Sequence, residues 1–102
     1  MADEPGVVDK LPSRPLSYEE GQRLEAQESD RSWVRPESVI ARDGEDVVVA
    51  LMAVDRERGY SWLLGYDPEL EGWSVVDEWA EAELEKEAFY ERLEAWEAET
   101  FG

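Results

Sequence analysis

The eight residues Val47–Val54, VVVALMAV, are apolar without interruption, and they limit the folds open to this chain more than any other stretch. The run is too short to span a membrane and is bounded by turn signals, Asp43–Gly44 before it and Arg56–Gly59 after it. Strand side chains alternate between faces, so a strand that is apolar at every position is buried on both. It has to lie at the centre of a sheet and needs cover on two sides.

The neighbouring segments read as its partners. Ser38 to Arg42 is a short strand. Tyr60, Trp62, Leu64 and Tyr66 alternate with Ser61, Leu63 and Gly65, which places three aromatics and a leucine on one face. After the loop DPELEG, Trp73 to Val76 forms a last short strand. Sequential hairpins with short turns imply an antiparallel meander of three or four strands.

Helices are expected on either side of the meander. Residues 1–15 carry three prolines and read as a flexible arm, ordered only where Val7, Val8 or Leu11 finds a docking site. Ser17 stands three residues before Glu20, the spacing of a capping box, so a short helix is expected from about Tyr18 to Ser29. Pro36 disfavours helix at Arg35 and hands Trp33 and Val34 over to extended chain. From Asp77 the period changes to about three and a half. Trp79, Ala82, Phe89, Leu93 and Trp96 share a stripe with Tyr90 beside it, interrupted by Lys86. A long acidic helix is therefore expected to run to about Glu99 and to lie on the aromatic face of the Tyr60–Tyr66 strand. The fold class is α+β, a single domain over residues 16–102.

Charge excludes several functions. The 102 residues hold 27 acidic and 10 basic side chains, a net charge of -17, with no histidine and no cysteine. There is thus no imidazole base, thiolate nucleophile, disulfide or Cys/His metal site. Lys10, Lys86 and eight arginines are scattered among the carboxylates, so direct nucleic-acid binding is not expected. An aromatic content of 11% is too high for a disordered acidic tail. MADEPGVVDK has neither the basic nor the apolar region of an export signal, and a cytoplasmic location is expected.

The last helix repels itself. Ten carboxylates lie between Asp77 and Glu99, with Glu81–Glu85, Glu83–Glu87 and Glu87–Glu91 four apart. Each like-charged pair costs roughly 0.2–0.5 kcal/mol at low salt, a penalty that fades when molar salt shrinks the Debye length to about 3 Å. Arginine exceeds lysine, asparagine is absent and Ile40 is the one isoleucine. This composition resembles proteins of extreme halophiles that keep molar potassium in the cytoplasm. LPSRPLSYEE near the start, the strand-rich centre and the late EGWSVVDEW resemble small uncharacterised acidic proteins of halophilic archaea. The resemblance implies no activity and carries over no functional residues.

Four functional readings follow from the residues. Carboxylate-only chemistry has candidates in Asp43, Glu45 and Asp46 or Asp67, Glu69 and Glu71, but adjacent acids are expected by chance in so acidic a chain, and DPELEG lacks EF-hand spacing. No catalytic residue, cofactor or metal is assigned. The aromatics Tyr60, Trp62, Tyr66 and Trp73 are expected to be core, which makes a small-molecule ligand unexpected. The dense carboxylates of the last helix suit an acidic mimic of nucleic acid that would inhibit a DNA- or RNA-binding protein. Finally, a helix of about 34 Å outruns strands of about 17–20 Å. Trp33, Tyr90, Trp96 and Phe101 are accordingly the residues expected to meet a protein partner or a second copy. A non-enzymatic protein acting through such contacts is the leading expectation, and the mimic is the alternative.

Overall fold

The computed structural model describes residues 6–29, 31–80 and 83–101; residues 1–5 of the expected arm, and Glu81 and Ala82 of the expected helix, lie outside that set. A 3-10 turn at Gly6–Lys10 leads to a two-residue strand β1 (Leu16–Ser17) and helix α1 (Tyr18–Ala26). Strands β2 (Ser32–Arg42), β3 (Glu45–Asp55), β4 (Tyr60–Asp67) and β5 (Gly72–Ala80) follow, and helix α2 (Lys86–Thr100) ends the chain. The fold is α+β with a five-stranded antiparallel sheet, more strands than the three or four of the expected meander. None of the described helices is long and apolar enough to cross a membrane.

The apolar run sits where its composition demands. Val48 to Leu51 are fully buried in β3. Its partners are β2 along one edge, and β4 with β1 along the other. Asp43 and Gly44, with φ of 53° and 82°, form the two-residue β2–β3 turn, as left-handed positions in a tight hairpin require. β2 is much longer than the segment Ser38–Arg42 because Ser32–Pro36 also pair with β3. Pro36 is tolerated there because β2 is an edge strand.

Two expectations about the last helix are corrected. Asp77–Ala80 belong to β5, where Asp77 pairs with Leu63 and Trp79 with Ser61. α2 therefore begins at Lys86, and its 15 residues span about 22 Å, so it does not outrun the sheet. It also covers the other face. A Cβ on Gly65 would stand 2.5 Å from Trp96, so α2 lies over Ser61, Leu63 and Gly65. The aromatic face with Trp62 and Tyr66 is buried instead beneath the N-terminal segment. Val7, Val8, Leu11 and Leu24 pack against the core, and Trp73 donates its indole N–H to the Arg14 carbonyl at 2.9 Å.

α1 starts as its sequence predicts. The Glu20 N–H donates to Ser17 Oγ at 3.1 Å, and the Ser17 N–H to Glu20 Oε1 at 3.0 Å. The helix ends at Ala26, three residues before the expected Ser29. Arg14 adds a two-pronged ion pair to the same carboxylate, at 2.7 and 2.9 Å. The hydrogen bond from Arg14, then that from Ser17, hold the Glu20 carboxyl down at about 2, against an ordinary 4.5. A depressed carboxyl stabilises the fold above its unfolded value and ceases to do so as pH falls through the folded one. Acid titration should thus lose about 1 kcal/mol between pH 4.5 and 2, a figure reduced for the exposure of the pair. In Glu20→Gln that pH dependence should flatten while α1 persists; an unchanged acid limb in urea denaturation would reassign the effect to another carboxylate.

Candidate functional site

Alternation along β2 places Trp33, Arg35 and Glu37 at every second position, just before the register shifts at Ser38. The first turns of α2 bring Lys86, Phe89 and Tyr90 to the same region. Glu37 is the centre of the resulting network. Its carboxylate accepts the Arg35 Nε–H at 2.9 Å on one oxygen and the Tyr90 hydroxyl at 3.1 Å on the other. The Glu37 side chain is only 6% exposed while that of Arg35 is 47% exposed. A buried carboxylate thus holds an arginine whose outer nitrogens reach the surface.

Two further contacts fix that guanidinium. It lies 5.0 Å from the centroid of the Trp33 ring, within cation–π range, and its Nη2 is 4.0 Å from Met52 Sδ. The hydrogen bond to Glu37 raises the Arg35 pKa further. Burial, then the Glu37 charge, raise that of Tyr90, so its phenol stays protonated and donating at neutral pH.

Beside this network is a cleft of about 300 Å³ lined by Arg35, Met52, Leu84, Lys86, Phe89 and Tyr90. A second cleft, of about 280 Å³, opens on the opposite side of the sheet, with Lys10, Leu24, Trp33, Asp55 and Trp62 in its wall. The Trp62 indole N–H is buried and has no acceptor among the described residues. Both lysines of the chain border these clefts.

The four residues expected to meet a partner divide into two places. Trp33 and Tyr90 are half-buried and converge on the Arg35–Glu37 pair. Trp96 is 8% exposed, seated on Gly65, and Phe101 stacks edge-on against it at 5.5 Å with 38% of its surface exposed. Among the described residues no group of three or more acids is placed to hold a metal ion. The aromatic strand face is no open stacking surface: Trp62 and Tyr66 are buried, and Tyr66 meets Trp73 edge-on at 6.0 Å. Sequence reasoning passed over Arg35, Glu37 and Lys86. The one signal available was Lys86, a cation interrupting an apolar stripe.

Residues 7–99 match a family described as a domain of unknown function, DUF7964. The chain belongs to the DUF7964 family. No curated protein and no solved structure matches it. For this DUF7964 domain the matched span runs from the 3-10 turn to the last turn of α2, so it takes in both clefts and the Arg35–Glu37–Tyr90 network.

Proposed function

We propose that this DUF7964 protein acts without catalysis, as a salt-adapted cytoplasmic module that associates with a second copy of itself through the open edge of β5. The observation that carries this reading is the character of that edge. β5 is a nine-residue terminal strand without proline or lysine. Natural sheets blunt such edges because unpaired N–H and C=O groups invite another strand. The opposite edge, β2, is blunted by Pro36, its two flanking register shifts and its arginines, whereas β5 carries one register shift, at Val76. On β5 the Glu78 N–H is taken up by the Asp77 carboxylate at 2.8 Å and the register shifts at Val76, which leaves residues 72–75 as the regular stretch open to pairing.

Charge makes this association conditional on salt. Two copies at -17 repel across the about 10 Å Debye length of 0.1 M salt, and much less across the about 3 Å of 1 M salt. Sedimentation velocity should therefore show a monomer in 0.1 M KCl and a dimer in 3 M KCl. Ser74 is exposed, and Ser74→Lys should keep the protein monomeric at high salt by placing a charge on the edge. A folded wild-type monomer at 3 M KCl would overturn the reading. The acidic mimic makes a different prediction: Glu87, Glu91 and Glu94 line the outer side of α2, and changing all three to Gln would abolish capture of a basic partner while leaving β5 pairing intact.

A further inference from the structure

We propose that the cleft between β2, β3 and the start of α2 binds a small organic monocarboxylate. Its charged end would sit on Arg35 and Lys86, and its apolar body on Met52, Leu84 and Phe89. The site stands apart from the β5 edge and does not depend on self-association.

The charge of the cleft is the opposite of the molecule's. Its two charged lining residues, Arg35 and Lys86, are both cations, in a chain with 27 acids against 10 bases. Glu37 offsets one of these two charges but offers a ligand no free acceptor oxygen. Both its oxygens are engaged, and it is buried behind the arginine it orients. Arg35 uses Nε toward Glu37 and rests Nη2 against Met52 Sδ, which leaves Nη1 to meet a carboxylate. Trp33 and Glu37 hold the guanidinium before a ligand arrives, so little side-chain entropy remains to be lost on binding. Lys86 has no ion pair among the described residues and is the first residue of α2.

The backbone points the same way. The N-cap of α2, Glu85, makes no side-chain cap hydrogen bond, so the first N–H groups of a 15-residue helix whose first turn holds Glu87 lack a capping side chain, and the residues on either side of the cap, Leu84 and Lys86, line the cleft. Tyr90 contributes differently. Its proton is committed to Glu37, so it walls the cleft and leaves recognition of the anion to the two cations. The floor is apolar, and at about 300 Å³ the cleft is at the lower end of ligand-site sizes. Electrostatics decide between a small acid and an acidic protein. An acidic partner surface would face the whole charge of -17, whereas a single carboxylate has only to reach the two cations of the lining.

The experiment uses phenylacetate and its neutral isostere phenylacetamide. Each is titrated into the ¹⁵N-labelled full chain at the lowest KCl concentration at which the protein is folded. Phenylacetate should produce saturable shifts at the Arg35 Nε–H and the first amides of α2. Phenylacetamide should bind about tenfold or more weakly, since a charge-assisted pair is lost. Arg35→Met should weaken phenylacetate by a similar factor. Lys86→Gln, on an exposed side chain whose change leaves the core untouched, should weaken it severalfold. Arg23→Gln, at a residue of α1 that pairs with Glu19 and does not line the cleft, should change nothing. Equal binding of acid and amide, undiminished binding to Lys86→Gln, or no saturation up to about 50 mM would each overturn the proposal.

Discussion

Phe89→Ala is expected to lower stability by about 3–5 kcal/mol, the largest loss of any single change considered for this protein. Phe89 is 1% exposed and lies between Trp79, at 5.6 Å between ring centroids, and Tyr90, at 5.4 Å. Truncation would remove the ring's burial and leave a cavity that rigid neighbours cannot fill. The consequence spreads because α2 has few other anchors. Its buried residues are Phe89, Leu93 and Trp96. A 15-residue helix carrying like-charged Glu87 and Glu91 four apart is marginal by itself, so losing one anchor should undock its first half. Of a total stability of about 5–15 kcal/mol this is about a fifth or more, and thermal unfolding in 3 M KCl should move down by about 15–30 °C. Tyr90→Phe is the comparison. It deletes only the hydrogen bond to Glu37 and should cost about 1 kcal/mol. A loss below 1 kcal/mol for Phe89→Ala would mean that α2 unfolds independently of the sheet.

Gly65→Val should be the second-largest loss, at about 3 kcal/mol, with Gly65→Ala nearer 2 kcal/mol. A Cβ at this position would meet two atoms of the Trp96 ring at 2.5 and 2.6 Å and Val76 Cγ2 at 2.9 Å. The indole cannot swing aside, because Phe101 packs against it edge-on and β4 lies beneath it. Alanine recovers about 0.5–1 kcal/mol through the lower entropy of the unfolded chain, which only partly offsets the clash. The pairing of Gly65 with Trp96 can be read as an interaction. Combining Gly65→Ala with Trp96→Leu should cost less than the sum of the single changes by about 1 kcal/mol or more. Strict additivity in urea denaturation would show that the helix does not rest on this glycine.

These two positions also show where sequence reasoning reached and where it stopped. Val47–Val54 announced a central strand covered on both faces, and Ser17 with Glu20 announced the start of α1; local chemistry sufficed for both. The switch from strand to helix was misplaced because Trp73, Val75, Asp77 and Trp79 suit a period of two while Trp79, Phe89, Leu93 and Trp96 suit a helical one. Trp79 satisfies both patterns, and only its pairing opposite Ser61 on β4 settles it. The face that α2 covers was equally hidden. The aromatic face looked the natural partner for an aromatic helix, but Trp96 needs the depth that a glycine provides, and that lies on the other side of the strand.

What the sequence determined by itself was the central strand, the turn at Asp43–Gly44, the cap of α1, the α+β class and the surplus of negative charge. Each depends on residues within a few positions of one another, or on composition alone. What only the tertiary structure decided was the side of the sheet given to α2, the burial of the aromatic face under the N-terminal segment, and the cleft at Arg35. Glu37 is one carboxylate among 27 until Tyr90, 53 residues later, donates to it and burial sets it behind Arg35. A charge acquires such a role from the groups that exclude water around it, and those groups are brought together by strand register and helix packing.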